Sequence, residues 1–404
     1  MKKIIALLVL FAPVILVAWD AEHHQEMARI ALKDVSLEWG LTQPIQVRPL
    51  MSLLEKLPHE LGDPWHFSHW LKINPAVPLD STFPETRGKT LLTPHEILTA
   101  YSNDPDDGRD MDLFTRNHEG RIQPQFHDQK WFGPPDGPDS QAFRHIEKPP
   151  FSWRHPVSTM GVPLRSVGEA TQRAEVWFLL SKLAFSLDEP YWGWRFLANS
   201  FHYLQDLHNP YHSAQISPAL AWQGLTAYLR WGRKEKGFIQ TFARLIGNSH
   251  RFFESYVARP ENHNNRLKLK ISAALSGGDL LPQKFSSAQE LAIDVRDQAN
   301  RFFPELPGLV DQIMDPKLRG PYDFKSDKNN ETKPITLLQK GTDFEAVNRR
   351  LFEIVEIQFR SAGRVQRTAV RMALDQKAKE PTEVILTKLE NILGKPLRPE
   401  DLEN

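Results

Sequence analysis

Apolar side chains recur at three- and four-residue spacing over residues 22–36, 168–186, 191–208, 236–258, 287–302 and 342–375, the period of a helix with one buried stripe. Alternating, strand-like runs are scarce. The pattern predicts an all-α architecture, a single multi-helical domain. One stripe is informative in detail: His24, Met27, Ala28, Ala31 and Val35 share a face, so His24 is expected to point into the core, while His23, about 100° away around the helix, is not. Residues 103–160 break the periodicity with Pro, Gly, Asp and His, as in Asp104-Pro-Asp-Asp-Gly and Gly133-Pro-Pro-Asp-Gly-Pro-Asp. They read as a long loop insertion between helices, which covers a functional site, binds a cation or is simply solvated. A second polar connection spans 315–335. Beyond 376 one short amphipathic pattern, Val384, Leu386, Leu389, Ile392 and Leu393, lies between Pro381 and Pro396.

The extreme N-terminus is organised differently. Lys2 and Lys3 precede an apolar run over residues 4–17 and the small residue Ala18, the composition of a cleavable secretory signal peptide. The expected layout is therefore a signal peptide at 1–18, a domain at 19–375 that includes the insertion, and a C-terminal extension at 376–404. The mature chain is expected to be secreted or periplasmic. No apolar run after residue 18 is long enough for a transmembrane segment. The 50 basic and 50 acidic side chains cancel, so no global field selects nucleic acid or an anionic membrane. Cysteine is absent, which excludes disulfides, thiolate zinc ligands and a thiol nucleophile.

Four clusters carry chemistry. Cleavage after Ala18 would free the α-amine of Trp19, which can bind a metal with its own carbonyl once the proton is displaced; His24 lies five residues on. His202-Tyr-Leu-Gln-Asp206 puts an imidazole and a carboxylate one helical turn apart on one face, and Asn209-Pro210 then stops the helix just before His212. Such a helix end can offer two ligand sets, with the Asp206 carboxylate bridging two ions. In the third cluster, His250 and Glu254 extend the stripe of Phe242 and Ile246, so the pair is carried into the core, where it needs a metal or a hydrogen-bonded partner. The fourth is dense: Glu55, His59, Glu60, Asp63, His66 and His69 fall within fifteen positions, and one oxygen ligand and one His from it would complete a site shared with His202 and Asp206. His59, Glu60 and Asp63 read as solvated or capping groups. His95, His118, His127, His145, His155, His208 and His263 lack a supporting pattern and read as structural.

Taken in order, the N-terminal Trp19, His24, His202-Tyr-Leu-x-Asp206-x-x-x-Pro210-x-His212 and His250-x-x-x-Glu254 resemble the trinuclear zinc superfamily of bacterial phospholipases C and fungal single-strand-specific nucleases. Ser361-Ala-Gly-Arg364 resembles part of that family's last helix. The resemblance implies three zinc ions. Trp19, His24 and Asp206 would hold one; His202 and Asp206, with an upstream carboxylate and His, a second; His212, His250 and Glu254 the third. The family's upstream pair is an Asp and a His eleven to fourteen residues apart, and no such pair occurs here. Glu55 and His69 have that separation, Ser68-His69 is similar to the family's Ser-His-Phe, and they are the expected ligands. Glu55 and Asp206 are then the expected catalytic carboxylates, and a metal-activated water the expected nucleophile.

Phospholipase and nuclease share this machinery, so pocket residues decide the expected substrate. Glu22 resembles the choline-contacting Glu of bacterial phospholipase C, and Glu254 follows the phospholipase form where the nucleases place Asp. The expectation is a phosphatidylcholine-type phospholipase C that contacts the membrane surface transiently, with Glu22, His66 and Trp70 on the substrate. A single-strand nuclease is the alternative, because Trp65, Phe67 and Trp70 would stack a base and Lys56 occupies a place where an aromatic would help a choline cage. A non-catalytic, metal-binding helical protein is the third reading, supported by the missing Asp.

Overall fold

The computed structural model describes residues 21–57, 85–106, 144–148, 167–214, 238–258, 265–281, 285–314, 342–376 and 380–393, with helical positions at 222, 225, 226, 228 and 229. The described residues are mostly helical, as the periodicity predicts. In chain order they form α1 (Ala21–Leu32), β1 (Ile45–Gln46), α2 (Met51–Leu54), β2 (Leu91–Leu92), α3 (Pro94–Tyr101), β3 (Glu147–Lys148), β4 (Val167–Gly168), α4 (Ala170–Ser186), α5 (Pro190–Asp206), α6 (Pro210–Ser213), α7 (Phe238–Ala258), α8 (Asn265–Ser276), α9 (Ala288–Asn300), α10 (Leu306–Ile313), α11 (Thr342–Gln376) and α12 (Thr382–Leu393). The strands make two antiparallel pairs, β1 with β2 and β3 with β4. The short helices α2, α3, α6 and α10 carry too few turns to show as periodicity.

A hairpin of α4 and α5 forms the centre. Both helices are buried on almost every side, the property of helices that other helices enclose. Leu187, Asp188 and Glu189 connect them, with Asp188 in the left-handed region at φ 54°, which a short polar side chain tolerates. Around the hairpin pack α3, α9, α11 and α12. The tail beyond 376 is thus not peripheral: Ile385, Leu386, Leu389 and Leu393 of α12 belong to the same apolar cluster as Trp177 and Leu197, and Lys182 of α4 pairs with Glu380 ahead of α12.

A second apolar cluster joins Met27, Ile146, Tyr211, Phe252, Phe253, Leu306 and Ile354. Here α11 and α8 touch backbone to backbone, since a Cβ at Gly363 would lie 1.9 Å from the Leu275 carbonyl oxygen. One turn on, Arg367 donates to Ala31 O, Leu275 O, Gly277 O and Gly278 O, so the last carbonyls of α1 and α8 find donors away from water. The two clusters meet along a seam, and in it lie the buried polar residues His24, His145, His202, Asp206, His212 and His250, each 0 % exposed.

Candidate metal centre

The seam is assembled from helix ends. On α5, His202 and Asp206 stand one turn apart, with Nε2 3.2 Å from Oδ2. The chain leaves α5, Asn209 caps α6 by accepting a bond from Tyr211 N at 3.0 Å, and Pro210 occupies the first helical turn, where its missing N–H costs nothing. This restart turns His212 back toward Asp206. On α7, His250 Nε2 lies 2.7 Å from Glu254 Oε1. From α1 comes His24, on the buried face expected of it.

Two further candidate ligands come from loops. Asp106 ends the turn that follows α3, and His145 precedes β3. Four atoms converge there: His145 Nδ1 is 2.8 Å from His202 Nε2 and 2.7 Å from Asp206 Oδ2, and Asp106 Oδ1 is 3.6 Å from His202 Nε2 and 3.8 Å from His145 Nδ1. Ligands about 2.05 Å from a tetrahedral zinc stand about 3.3 Å from each other, which is the middle of this range. The other Asp206 oxygen, Oδ1, lies 3.6 Å from His24 Nε2, and Asp106 Oδ2 lies 3.8 Å from that same nitrogen. The third triangle has edges of 3.0 Å between the Nε2 atoms of His212 and His250, 2.7 Å from His250 to Glu254 Oε1, and 3.4 Å from His212 to Glu254 Oε1. Three groups of buried His, Asp and Glu that can hold metal ions therefore lie together, sharing His202 between two of them.

Hydrogen bonds set which nitrogen each imidazole presents. His202 Nδ1 donates to Ser102 O at 2.8 Å, His212 Nδ1 to His145 O at 2.7 Å, and His24 Nδ1 to Gln205 Oε1 at 2.6 Å. Carbonyl oxygens only accept, so each Nδ1 carries the proton and each Nε2 turns a lone pair into the cluster. Gln205 is itself oriented, its Nε2 donating to Gln366 Oε1 at 2.9 Å. Asp104, two residues before Asp106, receives Arg195 Nη2 at 2.8 Å and Nε at 3.2 Å, which ties the Asp106 turn to α5.

Burial decides the protonation states. It pushes the His24 and His145 imidazoles well below their ordinary range, with charge repulsion from His202 adding to it, and pushes His212 down to about 4. Burial also raises the Asp106 carboxyl. Neutral imidazoles are the form that ligates. The buried carboxylates of Asp206 and Glu254 and the half-buried one of Asp106 stand among five buried histidines, and cations would offset the desolvation of their charge, so the donor set fits divalent metal.

The position of His145 depends on one glycine. β3 pairs with β4 so that Glu147 faces Gly168, and Gly168 has φ 104° with its would-be Cβ 1.9 Å from Ile146 O. Glu147 adds an anchor by accepting from Thr171 N at 2.9 Å and from Arg296 at 3.2 Å. Gly168→Ala is expected to cost about 2–4 kcal/mol from the strained φ and the overlap and to lower the capacity of the seam for divalent metal with it, because His145 moves when Ile146 moves. Thermal denaturation with metal titration checks this; an unchanged Tm and unchanged metal uptake would contradict it.

The structure brings His24, His202, Asp206, His212, His250 and Glu254 together and places one expected ligand elsewhere. Glu55 is not in the seam: it is exposed at the end of α2. The buried face of α2 is Ser52, Leu53 and Leu54, and Ser52 Oγ donates to Glu189 at 3.0 Å, with Lys56 Nζ 2.8 Å from the same carboxylate. Glu189 precedes the first turn of α5 and Asp206 ends the last, about 25 Å away at 1.5 Å per residue. Lys56 is therefore engaged at the opposite end of α5 from the cluster. His145, which has no supporting pattern in the sequence, lies in the seam, and with Asp106 it stands beside His202. His208 does fit a structural role, bonded to Leu204 O at 2.6 Å and Ser361 Oγ at 3.2 Å. Glu22 lies within α1. Trp19, His66, His69, Trp70 and the expected signal peptide at 1–18 lie outside the described residues.

Compared with known proteins, the chain matches no family model, no curated protein and no solved structure.

Proposed function

We propose that this chain is a secreted zinc-dependent phosphodiesterase of the phospholipase C and single-strand nuclease type, acting on phosphatidylcholine-like lipids. The observation that supports it is the gathering in one seam of three groups able to hold a metal ion, His24 with Asp106 and His202, His145 with His202 and Asp206, and His212 with His250 and Glu254. Zinc ions held there would neutralise phosphate oxygens, lower the pKa of a bound water toward neutrality and stabilise the leaving oxygen.

The chain's own residues supply the rest. Asp206 offers one oxygen to each of two ligand groups, which keeps them in register. Asp106 takes the role first expected of Glu55. Its side chain is 14 % exposed, against 9 % for Glu254 and 0 % for Asp206, and a carboxylate there would accept a proton from a water. The Nδ1–H bonds of His24, His202 and His212 hold their rings in place. The main argument for a non-catalytic protein was a missing Asp, and Asp106 weakens it.

The lipid is preferred over nucleic acid on the same residues that suggested it in the sequence, Glu22 near His24 and Glu254 in the third group. Zinc-loaded protein is expected to release diacylglycerol and phosphocholine from phosphatidylcholine in mixed micelles, and Glu22→Gln to weaken that turnover more than turnover of a phosphodiester without a headgroup. Digestion of single-stranded DNA or RNA with no phospholipid cleavage would replace this substrate with the alternative. No helix among the described residues is long and apolar enough to cross a membrane.

A further inference from the structure

Asn209 holds a place in the cluster that ligand chemistry does not explain. Its side chain is fully buried. Nδ2 lies 3.0 Å from His250 Nε2 and 3.1 Å from Glu254 Oε1, the two atoms that with His212 Nε2 form the third group. Its orientation is fixed, because Oδ1 accepts the Tyr211 N–H and a flipped amide would set donor against donor there. The NH2 therefore faces the third group whichever way the network around it is drawn. An amide nitrogen has no lone pair to give a cation, so Asn209 is not a fourth ligand; it is a donor beside three ligands. A capping role alone requires only the oxygen, and Ser, Thr or Asp would serve it.

We propose that Asn209 is the hydrogen-bond donor to a phosphate oxygen seated at the His212, His250 and Glu254 group, where it stabilises charge that builds on that oxygen as the ester bond breaks. A neutral donor suits the place: it holds an anionic oxygen without competing with the cation or adding charge to a buried set. The inference rests on the reading that this group holds zinc and that the substrate is a phosphoester.

Two variants separate the donor from the cap. Asn209→Asp and Asn209→Ser both retain an acceptor for Tyr211 N, and neither carries the amide donor; the Ser variant decides the matter where added charge keeps the Asp variant from folding. The measurements on the zinc-loaded full chain are zinc content, Tm, affinity for inorganic phosphate by calorimetry, and hydrolysis rate. The expected result is unchanged zinc content and Tm, phosphate affinity weaker by about tenfold, the worth of one hydrogen bond, and kcat lower by about 10²–10³. Wild-type phosphate affinity in both variants would reduce Asn209 to a helix cap and overturn the proposal. Loss of zinc in both would overturn it differently, by making Asn209 a support for the ligands. A wild-type chain that takes up no zinc would overturn the functional reading beneath it, and the Asn209 assignment with it.

Discussion

On the proposed reading, with three zinc ions in the seam, Asp206→Asn is expected to remove two of them and nearly all hydrolysis. The carboxylate is fully buried, with Oδ2 2.7 Å from His145 Nδ1 and Oδ1 3.6 Å from His24 Nε2, so its two oxygens serve separate groups. An amide replaces one of those oxygens with an NH2 that repels a cation, and supplies no negative charge to either site. Loss of a partner that only orients a ligand typically costs about 10–100-fold in metal affinity or activity; a shared ligand should cost more. Metal-free variant and metal-free wild type should unfold at similar temperatures, because a buried charge without cations contributes little net stability. Zinc should then raise the Tm of the wild type far more than that of the variant. Full zinc content and rate in Asp206→Asn would remove the bridging role.

Helical periodicity made the helix-borne half of this site legible. His202 with Asp206 and His250 with Glu254 are i, i+4 pairs on buried stripes, and His24 shares a stripe with Met27 and Ala28; a repeat of 3.6 residues is enough to put such groups on one face. The central hairpin and α11 were visible for the same reason. Asp106 and His145 have no such signature. They sit at the edges of loops, 39 positions apart in sequence, and are brought within 3.8 Å by elements that are themselves short: the turn after α3 and the two-residue strand β3. The signal that existed was local. Thr93 and Glu96 form a capping box that starts α3, with Pro94 in its first turn, which places Asp104 and Asp106 just past a helix end, and an Asp followed later by a His does precede His202. Expecting a short separation between the two concealed it. The amphipathic pattern of α12 was legible too, but a pattern shows that a helix has an apolar face without showing that α4 receives it.

Because the upstream pair is the point at which sequence and structure part, exchanging the two candidate pairs should give the sharpest contrast. On the proposed reading, His145→Ala and Asp106→Asn are each expected to lose one zinc ion and at least about 100-fold in rate, more than an orienting partner is worth, since each removes a donor atom that stands beside His202 Nε2. Glu55→Gln should leave zinc content and rate near wild type and stability within about 0.5 kcal/mol, as for other exposed substitutions away from special features; at that end of α5 it is Lys56, not Glu55, that engages Glu189. The physical difference is desolvation. His145 is 0 % exposed and its imidazole is kept neutral by burial, so its nitrogen reaches a cation without first releasing a proton, whereas an exposed carboxylate keeps its water and has no buried partner to lose. Metal analysis of the three variants reads this directly: zinc loss in Glu55→Gln with none in Asp106→Asn would return the ligand role to the α2 cluster and undo the assignment made from the seam.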